Sequence, residues 1–214
     1  NVTCLNQAWN DVISVYPILR TAFDFGEGRQ SLQIVANRVN FGLETDDWGD
    51  QSLDEKTQRL SKRLQQRKQQ SFDVRSAPLM AAQLIRWSKT ENKLLWTHHH
   101  ALVDGWSLPI VFNSLCKAYY SRVKGQQPTL AYSAPFEDYI RWLTQQDQHA
   151  AKEFWSQYLS GLTEKTLLPL AKNQGKILDV ATRYVECTRP LSLELNTQLE
   201  SCARQQRITL NTLM

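Results

Sequence analysis

Residues 94–123 constrain the fold more than any other part of the chain. They pass from an apolar, β-rich run, LLWTHHH, through ALVDGW into a stretch with apolar side chains at helical spacing. The spacing predicts a strand over 94–100 and a helix over 107–123. Such a βα unit requires a sheet for its strand and a layer against which its helix buries one face. Ile110, Val111, Leu115, Ala118 and Tyr119 supply that face, Pro109 is tolerated in the first turn, and Gly125 is placed to end the helix.

The rest of the chain alternates in the same manner. Trp9, Val12, Ile13 and Tyr16 recur at helical spacing until Pro17 breaks the pattern. Residues 19–25 and 32–39 read as a hairpin about Gly26-Glu27-Gly28. Ser52 with Glu55 is a capping-box signature and opens a long charged helix that runs to about Gln70. Strands are expected over 79–87 and 94–100, joined by the polar turn 88–93. Residues 136–159 read as one helix with a buried aromatic face of Tyr139, Trp142, Phe154, Trp155 and Tyr158. A linker over 169–176, a strand over 180–187 and a helix over 191–206 follow. Thr209 has the position of an N-cap. The expected class is α/β, a mixed sheet covered by helices in a two-layer sandwich.

Net charge is only +4, from 25 basic and 21 acidic residues, too mild to imply nucleic acid. Lys56, Arg59 and Arg63 run beside Leu53, Leu60 and Leu64, so their stems are expected along the core edge with the heads in water. That is a solvated helix face in preference to a docking patch. Cys4, Cys116, Cys187 and Cys202 lack metal-site spacing and read as reduced, mostly buried thiols. No segment is long and apolar enough to cross a bilayer, and a cytoplasmic protein is expected. The chain opens on Asn1 and ends as a helix begins after Thr209, which suggests a piece of a longer protein. GxSxG, GxxxxGK[ST] and GxGxxG are all missing, so a serine hydrolase, a P-loop enzyme and a dinucleotide binder lack their local mechanics.

Three histidines, His98, His99 and His100, close the predicted strand. Alternation puts His98 and His100 on one face with Leu94 and Trp96, and His99 on the other with Leu95 and Thr97. An HxH metal pair would need a third ligand, which the neighbouring sequence does not supply, and His149 lies far along in a helix. No metal is therefore expected. On the residues alone, a catalytic imidazole and a purely structural one are equally good readings.

His99-His100-Ala101-Leu102-Val103-Asp104-Gly105 resembles the HHxxxDG motif of the condensation domains of nonribosomal peptide synthetases, which share a wider superfamily with chloramphenicol acetyltransferase. Other segments agree in order. Tyr16-Pro17-Ile18-Leu19-Arg20-Thr21-Ala22-Phe23 resembles HPxLRTxF. Asp138-Tyr139-Ile140-Arg141-Trp142, with Phe154-Trp155 and Leu159, resembles the YxDYxxW and FWxxxL helices, and Thr209-Leu210-Asn211-Thr212-Leu213 resembles TLNTLL. The chain departs from the family pattern at Val15-Tyr16, where Arg-His is usual, and at His98, where a small or apolar residue is usual. The family's amino-terminal SxxQ-type motif is missing.

The resemblance implies an amino-terminal lobe over 1–172, then a linker with the first strand and helix of a carboxy-terminal lobe over 173–214. The implied reaction joins a carrier-bound donor acyl or peptidyl thioester to the amine of a carrier-bound acceptor aminoacyl group. No cofactor is bound directly, since the phosphopantetheine arms belong to the partner carrier domains. Donor and acceptor carriers, an adjacent adenylation domain and the carboxy-terminal lobe are the implied partners, with no nucleic acid and no membrane. The catalytic segment comprises His100, His99, Asp104 and Gly105. His100 accepts a proton from the attacking amine or orients it, and His99 is a structural hydrogen-bonding group. Asp104 pairs with Arg20 as structural support, or simply turns the chain. Gly105 leaves room for the thioester and offers its N–H to the oxyanion, while Trp106 and Ser107 line the tunnel, or Ser107 caps the helix. The cyclising DxxxxD and epimerising DGVSW patterns are both missing, which favours condensation. A coenzyme A-dependent acyltransferase of the same fold and a non-catalytic carrier-docking lobe are the alternatives. The fragment alone is expected to be inactive.

Overall fold

The computed structural model describes residues 1–26, 31–69, 71–163 and 188–213, which form two units, Asn1–Glu153 and Phe154–Met214. The expected boundary at 172/173, the linker over 169–176, the strand over 180–187 and the central turn residues Glu27 and Gly28 lie outside the described residues.

In the first unit, helix α1 (Val2–Val15) starts at Asn1, whose side chain accepts the Cys4 N–H at 3.1 Å. It buries Ala8, Trp9, Val12 and Ile13, one stripe at helical spacing, and stops where Tyr16 turns extended ahead of Pro17. A 3-10 turn, Pro17–Arg20, occupies the start of the expected first strand. The hairpin follows as β1 (Thr21–Asp24) and β2 (Leu32–Val35), antiparallel with Thr21 opposite Val35.

The main sheet has the order β3-β4-β5, from Glu44–Asp47, Met80–Arg86 and Asn92–His98. β3 pairs with β4 in parallel, across a connection containing α2 (Leu53–Gln69), and β4 pairs with β5 antiparallel. The sheet is therefore mixed, as expected. Helix α3 (Ser107–Val123) packs along α1, and Trp9 lies at the centre of the arrangement. Trp9 is fully buried, with its ring centroid 5.6 Å from that of Phe41 and 5.4 Å from that of Trp96 on β5. Trp96 in turn meets Phe112 of α3 edge-on at 5.3 Å. Two helices and the sheet are thus joined through contiguous aromatic contacts.

Several local expectations need correction. β3 reads ETDD, too acidic to register as a strand, and its partner is the inward stripe of α2. Lys56, Arg59, Arg63 and Arg67 occupy that stripe, so the basic residues are not a solvated face. Arg59 donates to Asp46 at 3.0 Å and lies over the Trp48 ring, Arg63 approaches Asp46 at 3.8 Å, and Arg67 reaches Glu44 at 2.6 Å. Leu53 and Leu64 face solvent instead. Charge complementarity between helix and strand replaces the apolar stripe that periodicity suggested.

Lys56 goes furthest. Its side chain is buried, and its ammonium donates to the carbonyls of Trp87 at 2.7 Å and Gly49 at 3.2 Å. Lys56→Met keeps the stem but leaves both carbonyls without this donor. The expected loss is about 1–3 kcal/mol, read by urea unfolding, and an unchanged midpoint would show that water replaces the amine freely.

On α3, Ser114 takes a buried place beside Val111, Leu115 and Ala118, while Ile110 is exposed and Tyr119 only partly buried. The predicted helix over 136–159 is two helices, α4 (Phe136–Thr144) and α5 (Gln148–Tyr158). Asp147 starts the second by accepting the N–H groups of His149 and Ala150, both at 2.9 Å. Their aromatic face is not buried: Tyr139, Trp142, Phe154 and Trp155 are about half exposed, and Tyr158 more so. Periodicity marks an amphipathic face but not what covers it. Cys116 and Cys202 are exposed and Cys4 partly buried, against the expectation of mostly buried thiols, and Cys187 lies outside the described residues.

In the second unit, α6 (Leu193–Gln205) is capped by Ser192, whose hydroxyl accepts the Leu195 N–H at 3.1 Å. Thr209 accepts the Thr212 N–H at 3.1 Å and opens the short α7 (Leu210–Leu213).

Candidate active site

The histidine segment is a turn pinned at both ends. β5 runs only to His98, opposite Met80, and the His99 N–H adds one more bond to the Leu79 carbonyl at 2.9 Å. The Leu102 N–H then returns to the His99 carbonyl at 3.1 Å and closes a turn. Leu102 and Val103 are both buried in the core shared with Trp9 and Leu115. Buried apolar anchors beside the turn act together with these hydrogen bonds to hold it in place.

Strand alternation therefore does not extend to His100, because the chain leaves the sheet after His98. His100 sits in the turn and is exposed. His99 is partly buried, and its Nδ1 accepts the Ala101 N–H at 3.1 Å, so the ring braces the turn from within. His98 stacks at a tilt on Trp96, with ring centroids 4.8 Å apart. Among the described residues no group of three His, Cys, Asp or Glu side chains could hold a metal ion.

Asp104 begins α3. Its carboxylate accepts the Ser107 N–H at 2.8 Å and the Ser107 hydroxyl at 2.6 Å, while its own carbonyl accepts the Ser107 and Leu108 N–H groups. The Ser107 hydroxyl, then its N–H, hold the Asp104 carboxyl below the usual carboxylate range. The structure does not bring Arg20 and Asp104 together. The Arg20 guanidinium donates to the Ala36 carbonyl across the hairpin, and Ser107, three residues on from Asp104, is the carboxylate's capping partner.

A carboxyl with a lowered pKa contributes to stability above its unfolded-state value and loses that contribution as pH falls through the folded-state value. The Asp104–Ser107 contacts should therefore persist to below pH 3.8, the ordinary value for Asp. In an acid titration followed by NMR, the Ser107 amide should shift with a midpoint below 3.8, and Ser107→Ala should raise the midpoint recorded at Asp104. A midpoint at or above the ordinary value in the unsubstituted protein would contradict this capping geometry.

A pocket of about 400 Å³ opens beside the turn, lined by residues 100–104, Ser107, the segment Tyr16-Pro17-Ile18, Gln33, and Ser133, Ala134 and Phe136. It thus unites His100, Asp104 and Ser107 with the start of the LRT segment. Gly105 and Trp106 are not part of the lining. Trp106 is 89% exposed, whereas a side-chain carbon added at Gly105 would meet nothing within 4 Å beyond its chain neighbours. Tyr16, Gln33, Ser133 and Phe136 were not expected at the site. Only Tyr16 carried a signal in the sequence, as a departure from the Arg-His pattern.

The Condensation domain family matches residues 1–214, the whole chain. The chain belongs to the condensation domain family. It is 35% identical to one of the linear gramicidin synthase polypeptides of Brevibacillus parabrevis and 29% identical to bacitracin synthase 3 of Bacillus licheniformis, with 100% and 98% of this chain covered. It spans only 4% and 3% of those relatives, respectively. The crystal structure of the SgcC5 protein from Streptomyces globisporus matches 98% of this chain and 47% of that one, with a TM-score of 0.72 at 21% identity, and so shares its fold. The α/β architecture with a mixed sheet is thus that of condensation domains. No described helix is long and apolar enough to cross a membrane.

Proposed function

We propose that the chain supplies the histidine-bearing lobe of a condensation domain that forms amide bonds in a cytoplasmic nonribosomal peptide synthetase. The observation that carries this reading is the placement of His100, exposed at the rim of a 400 Å³ pocket by a turn whose neighbours are buried. The acceptor amine attacks the donor thioester carbonyl, a C–N bond forms and the C–S bond breaks. His100 takes a proton from the amine and returns it to the departing thiolate, so that the products are an amide and a free thiol. Holding both partners by tethers supplies part of the rate by proximity, and the thioester is already activated. His99 maintains the turn, and Asp104 with Ser107 fixes the helix that follows it. Arg20 supports the adjoining hairpin. Gly105 keeps space open next to the turn for a pantetheine arm, and its N–H is the proposed oxyanion donor. Trp106 offers contact area toward the tunnel.

Donor and acceptor carrier domains bearing phosphopantetheine, a neighbouring adenylation domain and a carboxy-terminal lobe complete the proposed unit. The proposed domain organisation is a lobe over 1–172 and the beginning of its partner over 173–214. The same acyl group offered to the full synthetase as a carrier thioester and as a coenzyme A thioester separates the two enzyme readings. The carrier form should react with at least tenfold higher kcat/KM, and preference for coenzyme A would make this a freestanding type of acyltransferase. Carrier binding without any amide would indicate a docking lobe.

A further inference from the structure

We propose that Tyr16 limits the size of the acyl group admitted beside His100, and that this pocket takes an uncharged, apolar aminoacyl side chain. The proposal rests on the reading that carrier-bound acyl groups react at His100. Tyr16 leaves α1 in an extended conformation, with φ −103° and ψ 99°, and lines the pocket next to Pro17 and Ile18. Its hydroxyl reaches α3, 2.8 Å from the Oγ of Ser114, which is buried on the inward face of that helix. Swinging the ring away would leave both hydroxyls without this bond, one of them buried, so Tyr16 is a fixed wall. The frame behind it is fixed as well: Arg122 of α3 makes a two-pronged ion pair with Asp11 of α1, at 2.8 and 2.6 Å.

The chemistry of the walls selects the class of side chain. Ile18, Leu102, Val103, Ala134 and Phe136 are apolar, Gln33, His100, Ser107 and Ser133 add polar groups, and Asp104 is the one carboxylate in the lining, already engaged by Ser107. An acidic side chain would be repelled there, whereas an aliphatic or aromatic one would bury its surface. Small differences in side-chain volume in such a pocket change discrimination by about 10- to 200-fold.

The test uses the full synthetase with donor and acceptor carriers loaded with alanyl, leucyl, tryptophanyl and glutamyl groups, one position varied at a time. Tyr16→Leu should raise the tryptophanyl to alanyl ratio of kcat/KM about tenfold at whichever position the pocket serves. Tyr16→Phe keeps the ring but removes its bond to Ser114, and should raise that ratio by less than Tyr16→Leu does. Glutamyl should remain the poorest substrate throughout. If Tyr16→Leu does not fold, Ala134→Phe narrows the same pocket and should move the ratio the opposite way. An equal loss for every substrate, or an unchanged ratio at both positions, would overturn the proposal and leave Tyr16 a structural residue. Failure of the unsubstituted synthetase to form any amide would instead overturn the condensation reading, and this proposal with it.

Discussion

His100→Ala in the full synthetase should lower the rate of amide formation by about 10²- to 10⁴-fold, the range typical for loss of a positioned proton acceptor. The fold should survive. His100 is exposed, and Leu102 and Val103, not the imidazole, anchor the turn in the core. A matching unfolding midpoint together with slow product formation would place the defect in chemistry. The comparison with His99→Ala is informative because His99 holds the turn through its bond with the Ala101 N–H. That substitution should lower both stability and rate, and each by less than the extreme values for core or catalytic positions. Near-normal turnover by His100→Ala would remove the imidazole from the mechanism. The pocket would then act by positioning alone, which an activated thioester makes chemically feasible.

Trp9→Ala should be among the most destabilising single changes in the first unit, at about 3–5 kcal/mol. Its side chain is fully buried between Phe41 and Trp96, and its removal separates α1 from β5. For a chain of this size that corresponds to a fall in the thermal midpoint of roughly 10 °C. Trp9→Phe should cost much less. The indole N–H has no hydrogen-bond partner among the described residues, so Phe removes an unmet donor while retaining most of the aromatic contact. Equal losses for Ala and Phe would show that the indole N–H has a partner after all. Because α1 leads directly into the Tyr16-Pro17-Ile18 wall, Trp9→Ala should also weaken substrate binding at the pocket.

The parts of this fold that were legible in the sequence are those in which apolar burial and local capping agree. Ser52 and Glu55 form the reciprocal cap that their spacing suggested, with the Ser52 N–H donating to Glu55 at 2.8 Å and the Glu55 N–H donating to the Ser52 hydroxyl at 3.3 Å. Helix α3 has the bounds read from its pattern, although Ser114 rather than Ile110 faces the core. β3 escaped notice because its stabilising partners are the arginines of α2, and a strand held by charges lacks the apolar alternation that marks strands. At the site, strand alternation misplaced His100 of the motif, since a turn begins immediately after His98. The bond between Asp104 and Ser107 was in none of the readings, which gave Asp104 to Arg20 or to a simple chain turn and Ser107 to the helix cap or the tunnel. Tyr16 belongs to a different helix end from the motif, and only the folded chain brings the two to one pocket.

The most direct measurement is a single-turnover reaction of the full synthetase with a loaded donor carrier and a loaded acceptor carrier, each followed by intact mass. The acceptor carrier should gain the mass of the donor acyl group while the donor carrier returns to its free thiol, and blocking the acceptor amine should stop both. Loss of the acyl group from the donor with no gain on the acceptor, unaffected by the blocked amine, would mean hydrolysis and would contradict amide formation at His100.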